Sequence, residues 1–236
     1  MSTAQGGPGN IVTNGIILYL DPANPYSYVS GSTTWNDISF DKISNNVTLF
    51  NGVGFDSNNA GSLSFDGTNA YTKSNVEFAM PQQITFSCWV KIGPQTQSQT
   101  LIGDFGQSST EGYIWIFRGS SGSNTLGFQY SNGTLAQSIS TINFFGNFNN
   151  VWVNVTVSVD YIDGGILRVY RNGFLKNGQF LTTPEIPRNL FKYFGSYGPA
   201  LNVIEGNLSS VLLYNRILSN AEVLQNYNAL KSRFRY

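Results

Sequence analysis

The side chains that could do chemistry in this chain are few. Histidine is absent, and cysteine occurs once, at Cys88. Ser-His-Asp and Cys-His catalysis are therefore excluded, and the commonest metal ligand is missing. One thiol can make neither a zinc cage nor an intramolecular disulfide. No GxGxxG or GxxxxGK[ST] loop is present to cradle phosphate. What remains is carboxylates. Asp160 and Asp163 stand close together, and Asp104 and Glu111 flank a Gly/Ser stretch. A retaining glycosidase needs two carboxyls about 5–5.5 Å apart. Asp163-Gly164 reads as a turn, so both pairs are expected to be solvated turn acids, and no catalytic residue is assigned.

Calcium needs six to eight oxygens. Asp21 with Asn24, and Asp66 with Asn69, could each give two from a loop. Such residues more often bond the backbone of their own turn, which is the role expected here. No cofactor is assigned, and Ca2+ is the one ion these residues could hold. For binding, Trp115 with Tyr113 and Tyr130 is the cluster expected to contact a glycan, through ring faces. Trp35, Trp89 and Trp152 are expected in the core or half-buried on a sheet. Cys88 is expected to be an inert core thiol.

Charge narrows the partners. Thirteen basic residues balance thirteen acidic ones, and only 11% of the chain is charged. Nucleic-acid binding needs a basic surface, so it is not expected. Lys231, Arg233 and Arg235 read as a solubilising tail. No apolar run is long enough to span a bilayer. Met1 to Asn14, Gly-rich and without an apolar stretch, is read as an arm rather than a signal peptide, and with only Ile11 and Val12 to bury it is expected to be ordered only through contact with another chain. Asn46, Asn132, Asn154 and Asn207 begin glycosylation triplets, read as chance in an Asn-rich chain. Aromatics at 14% exclude global disorder.

The elements that must position these residues are mostly strands. Ile84, Phe86, Cys88, Val90 and Ile92 alternate, as do Val151, Val153, Val155, Val157 and Val159, with Trp89 and Trp152 on the opposite faces. Gly112 to Arg118 lacks alternation and is expected to be covered on both sides. Asn51-Gly52, Asp66-Gly67 and Asn172-Gly173 are tight-turn pairs. Ser62–Phe65 and Ala70–Lys73 read as a hairpin about Asp66-Gly67. Ser219-Asn220-Ala221-Glu222 is a capping box that starts the one expected helix, with Val223, Leu224, Tyr227 and Leu230 along one stripe. Many short strands and one helix imply a single all-β, antiparallel two-sheet sandwich over residues 15–236, preceded by the arm at 1–14.

From about residue 11 to 234 the order of short motifs resembles laminin-G-like, concanavalin A-like jelly-roll domains of the kind found in tailed-phage virion proteins. The resemblance is carried by Asp21 and Asn24 after the first strand, then Trp35 and Asp37, then Asp66-Gly67. It continues with Trp89, Trp152 and Asn172-Gly173, and ends on Tyr214, Ser219 and Glu222. It implies that these residues define the fold. Related hydrolases carry Glu-x-Asp-x-x-Glu or Glu-x-Asp-x-Glu on one strand; neither occurs here. Relatives also often have an acidic pair where Ser209-Ser210 stands, and His where Asn154 stands, which weakens any carried-over metal site.

Since one fold hosts many functions, three readings follow. The first is a non-enzymatic structural protein of a tailed-phage virion, such as a capsid decoration, fibre base or tail-associated jelly roll. Its partners would be other virion proteins and further copies of itself. The second is a carbohydrate-binding adhesion module for host surface glycans. The third is a glycoside hydrolase. The expected location is the virion.

Overall fold

The computed structural model describes residues 10–39, 45–76, 81–93, 97–104, 113–119, 124–131, 136–146, 149–162, 165–181 and 192–234, without the side chain of Tyr113. Glu111, Asn132, Asp163 and Arg235 lie outside them.

Alternating apolar residues, cut by Asn-Gly and Asp-Gly pairs, fold as strands. In chain order these are β1 (Ile16–Leu20), β2 (Thr34–Trp35), β3 (Val47–Phe50), β4 (Gly54–Asp56), β5 (Ser62–Asp66) and β6 (Tyr71–Ser74). Next come β7 (Gln83–Ile92), β8 (Gln99–Gly103), β9 (Tyr113–Arg118), β10 (Leu126–Ser131) and β11 (Ala136–Thr141). The last are β12 (Trp152–Asp160), β13 (Ile166–Arg171), β14 (Phe174–Phe180), β15 (Tyr193–Phe194) and β16 (Glu205–Tyr214). They pair antiparallel in two sheets. One has the order β14-β13-β12-β7-β16-β5-β4, with β1 also on β16; the other has β11-β10-β9-β8-β15-β6-β3-β2. This is the expected jelly-roll sandwich.

The core lies between the sheets. Phe86, Cys88 and Val90 of β7 and Val153, Val155 and Val157 of β12 point into it. Val151 precedes β12 and is exposed, so the buried valine row begins at Val153, two residues later than expected. Burial pushes the Cys88 thiol well up, consistent with an inert core residue. Two buried triplet asparagines, Asn154 and Asn207, are out of reach of glycosylation in the folded chain. Asn154 instead donates to the Cys88 carbonyl at 3.1 Å, and its N–H bonds the Asn172 side chain at 2.9 Å.

The expected hairpin around Asp66-Gly67 does not form, because β5 and β6 belong to different sheets. Asp66 Oδ1 accepts the N–H groups of Thr68, Asn69 and Ala70 at 2.9, 2.9 and 3.0 Å. That corner sends the chain across the sandwich instead of back along it. By contrast Asn172 and Gly173, both at positive φ (53° and 81°), do close the β13–β14 hairpin.

The outer face of the β7 sheet is covered as well. Helix α1 (Asn220–Leu230), started by the Ser219–Glu222 capping box, and the turn after it pack on Trp89, Trp152, Tyr170, Leu212 and Tyr214. Trp89 stacks on Phe234 at 4.2 Å between ring centroids. Ile11 and Val12 join this layer, which corrects the expectation that only another chain could order them. The sequence reading missed Asn226, whose side chain accepts the Val12 N–H at 2.8 Å and donates to the Tyr214 hydroxyl at 3.0 Å. Residues 1–9 of the arm lie outside the described residues.

Candidate functional site

β9 sorts its large residues to opposite sides. Ile114 and Ile116 enter the core, whereas Trp115 stands half-buried on the outer face of the second sheet. The expected cover on both sides is therefore incomplete. β10 pairs with β9 in the register Tyr130↔Ile114 and Gln129↔Trp115. Directly opposed residues share a face, so Tyr130 goes inward and Gln129 outward. Tyr130 is 1% exposed, and its ring meets Phe128 and Tyr161. The expected Tyr113–Trp115–Tyr130 cluster is corrected on this point: Trp115 and Tyr130 lie on opposite faces of one sheet. The side chain of Tyr113 lies outside the described part.

Trp115 has other neighbours. Phe117 stacks on it at 3.8 Å between centroids and 20° between planes, and Tyr197 packs at 4.7 Å and 35°. The indole N–H donates to Thr100 Oγ1 at 2.8 Å. Two glycines make the room. A Cβ on Gly127 would overlap the Phe117 ring, and one on Gly103 would sit 2.8 Å from Tyr197. Tyr197 follows a two-residue strand and carried no sequence signal; the glycines opposite the aromatic residues were the one hint.

The strand register extends this face in both directions. One row runs Ser138, Gln129, Trp115, Gly103, Tyr193, Lys73 and Thr48. Tyr71 lies 6.2 Å from Tyr193 and stacks on Phe50 at 4.7 Å and 10°. Gln129 Nε2 donates to Ser138 Oγ at 3.2 Å. Burial raises the Tyr193 hydroxyl above its ordinary range, and Asp104 adds to this against Lys192, so the phenol stays neutral. Among the described residues, neither large buried apolar cluster includes Trp115, Tyr197, Tyr193, Tyr71 or Phe50. One outer face of the sandwich is packed by a helix; among the described residues, the other carries the half-buried rings of Trp115, Tyr197, Tyr71 and Phe50 beside amide, hydroxyl and ammonium groups. Ring faces suit the C–H faces of sugars, and the polar groups suit their hydroxyls.

The other tryptophans are committed to the fold. Trp35 and Trp89 are fully buried, and Trp152 donates to Asn59 Oδ1 at 3.1 Å beneath the C-terminal turn. The acids are committed too. Asp21 is ion-paired with Arg233 at 2.9 Å, which also shows that Arg233 is no solubilising tail. Asp37 accepts the N–H groups of Tyr19 and Ser39, each at 2.9 Å, and Asn24 accepts that of Tyr26 at 3.0 Å. Burial would raise the Asp66 carboxyl, but its three backbone donors outweigh this and hold it below the usual range. Asp160 caps the bend after β12 and accepts from Gln83 at 3.0 Å. Asp104 is fully buried at the end of β8. Among the described residues, no three carboxylate or thiol side chains converge as a metal site.

A laminin G-type family model, described as the concanavalin A-like lectin/glucanases superfamily, matches residues 65–224. The chain belongs to this superfamily. No curated protein matches this concanavalin A-like chain in sequence. Among solved structures, the botulinum neurotoxin serotype D binding domain superposes with a TM-score of 0.68 at 17% identity, over 92% of this chain and 52% of that one. The serotype G binding domain does so with 0.68 at 15%, over 90% and 50%. The serotype D ligand binding domain in complex with N-acetylneuraminic acid gives 0.67 at 17%, over 92% and 51%. The chain thus spans about half the length of these domains, and identities this low speak for the fold alone. No helix among the described residues is long and apolar enough to cross a membrane.

Proposed function

We propose that this chain is a non-enzymatic carbohydrate-binding adhesion module whose sugar-contacting surface is the open face around Trp115. The observation that carries the reading is the half-buried Trp115 flanked by Tyr197 and Phe117, with Gln129 in register beside it. A structural relative solved with N-acetylneuraminic acid supports it by fold. The resemblance to phage virion domains supports a location on a virus particle, where the module would meet host surface glycans. Assembly of several copies would offset the weakness of a single shallow site through avidity.

The test is glycan-array screening followed by calorimetry on the best neutral oligosaccharide. Burying an aromatic side chain contributes about 1.5–3 kcal/mol, so Trp115→Ala should weaken binding by about tenfold or more. No binding to any glycan, or unchanged binding by W115A, would overturn the reading. The virion location is tested by whether antibodies to this chain label assembled particles.

A further inference from the structure

β14 (Phe174–Phe180) ends its sheet, paired on one side with β13. Among the described residues, no strand pairs with its other side. Such an edge offers a row of backbone N–H and C=O groups to a further strand. Its side chains suit contact better than solvent. Of the nine large apolar residues exposed among the described ones, three lie on this strand: Phe174, Leu175 and Phe180, at 60, 49 and 74%. A fourth, Ile142, is 74% exposed and follows Thr141, whose hydroxyl accepts from Asn177 of β14 at 3.2 Å. Lys176 is the one charged residue of the strand. It is also the extra residue of a bulge, because the partners of Val169 and Tyr170 step from Asn177 to Leu175. From Asn177 to Phe180 the strand is regular and uncharged. Gly178 lies within that stretch. Its φ is outside the left-handed region, and among the described residues a Cβ there would meet only the Leu167 carbonyl oxygen, at 3.9 Å. Glycine weakens a strand interior and often marks a place where another backbone approaches closely.

We propose that β14 pairs antiparallel with β14 of a second copy of this chain, about a two-fold axis through Gly178. A two-fold pairing is self-complementary, and this edge meets its own copy well. Gly178 then opposes Gly178 of the second copy, Asn177 opposes Gln179, and Lys176 opposes Phe180. Asn177 and Gln179 share the face of Val169 and Leu167, so the amides meet on one side of the joined sheet. Each ammonium lies beside a ring rather than beside its like. Centring on Asn177 instead would set Phe174 against Phe180, which the bulge puts on different faces. Seven residues at about 3.4 Å each make an edge about 24 Å long, which with the flanking rings buries on the order of 1,000 Å², the lower end of specific interfaces. The pairing joins two eight-stranded sheets into one. An axis perpendicular to that sheet keeps the Trp115 faces of both copies on the same side, as two-site attachment requires. The dimer itself does not depend on the glycan reading.

Sedimentation velocity on the whole chain, from about 1 to 500 μM, should show a monomer–dimer equilibrium in the micromolar range. Gly178→Asp opposes two carboxylates across the axis and should weaken the dimer about tenfold or more, with an unchanged urea-unfolding midpoint at low concentration. Asn177→Lys with Gln179→Lys should do the same. Asn177→Lys with Gln179→Glu sets lysine against glutamate across the axis and should dimerise at least as well as the wild type. Gly178→Cys should cross-link in oxidised glutathione, since opposed strand residues have Cα atoms about 4.5–5.5 Å apart, within disulfide reach. Ser138→Cys, exposed on β11, should not. A monomer throughout the concentration range would overturn the proposal. So would a dimer whose affinity survives Gly178→Asp, or cross-linking no better through position 178 than through 138. None of these readouts involves a glycan, so they stand or fall apart from the Trp115 reading.

Discussion

Arg233 directs its two terminal nitrogens at both oxygens of Asp21, at 2.9 and 3.0 Å. The same nitrogens reach the hydroxyls of Ser210 and Ser209 at 2.9 and 3.2 Å. Adjacent strand residues ordinarily face opposite ways. Here β16 bulges, and Ser210 adopts a φ of 45°, so both hydroxyls meet one guanidinium. Ser209 and Ser210 thus serve a buried fork that ties the C-terminal turn to the end of β1. Removing one partner of such a pair leaves an uncompensated charge and typically costs 3–5 kcal/mol. Asp21→Asn should lower the urea-unfolding free energy by about that much, and the double change Asp21→Asn with Arg233→Met should recover part of it. A single substitution within about 0.5 kcal/mol of wild type would contradict this account.

Helix α1 depends on a short electrostatic circuit at its start. Ser219 accepts the Glu222 N–H, and Glu222 accepts in return from the Ser219 N–H at 2.9 Å. Arg216 adds bonds to both Glu222 oxygens at 3.1 and 2.6 Å. The Arg216 fork first, then the Ser219 backbone, hold the Glu222 carboxyl at about 2, below its ordinary 4.5. A carboxyl lowered by folding stabilises the native state above its unfolded value, and that contribution is lost as pH falls from about 4.5 to 2. Wild-type stability should therefore fall more steeply over this window than that of Glu222→Gln, read by denaturant midpoints at stepped pH. Parallel curves would refute the linkage. The helix matters beyond its own length, because it closes one face of the sandwich, whereas no helix among the described residues packs on the Trp115 face.

At the scale of the whole molecule, the chain before β1 is part of the domain from Asn10 onward. Gln225 donates to the Asn10 carbonyl at 2.8 Å, and the Tyr214 hydroxyl donates to that of Val12 at 2.9 Å. Ile11 is 6% exposed against the helix layer. Truncating it to Ala should cost about 2–5 kcal/mol in a monodisperse monomer, measured by chemical denaturation. No loss in the monomer, with a loss appearing only in an assembly, would return the arm to its expected dependence on another chain.

The sandwich, the capped helix, the core thiol and the turn residues were legible in the sequence because each depends on local information. Period-two alternation sets strand faces, and Ser219 and Glu222 meet within one helical turn. The proposed binding face was only partly legible. Trp115 could be named, but its partners depend on register, which joins Tyr197, Gly103, Tyr193 and Lys73 from segments far apart in the chain. Tyr130 was misplaced for the same reason: sequence proximity to Trp115 does not say which side of a sheet faces out. Likewise Asp21 and Arg233 stand 212 residues apart, and nothing short of folding could pair them. Local spacing decides which elements form, whereas long-range pairing and the covering of one sheet by the C-terminal helix decide which residues share each face.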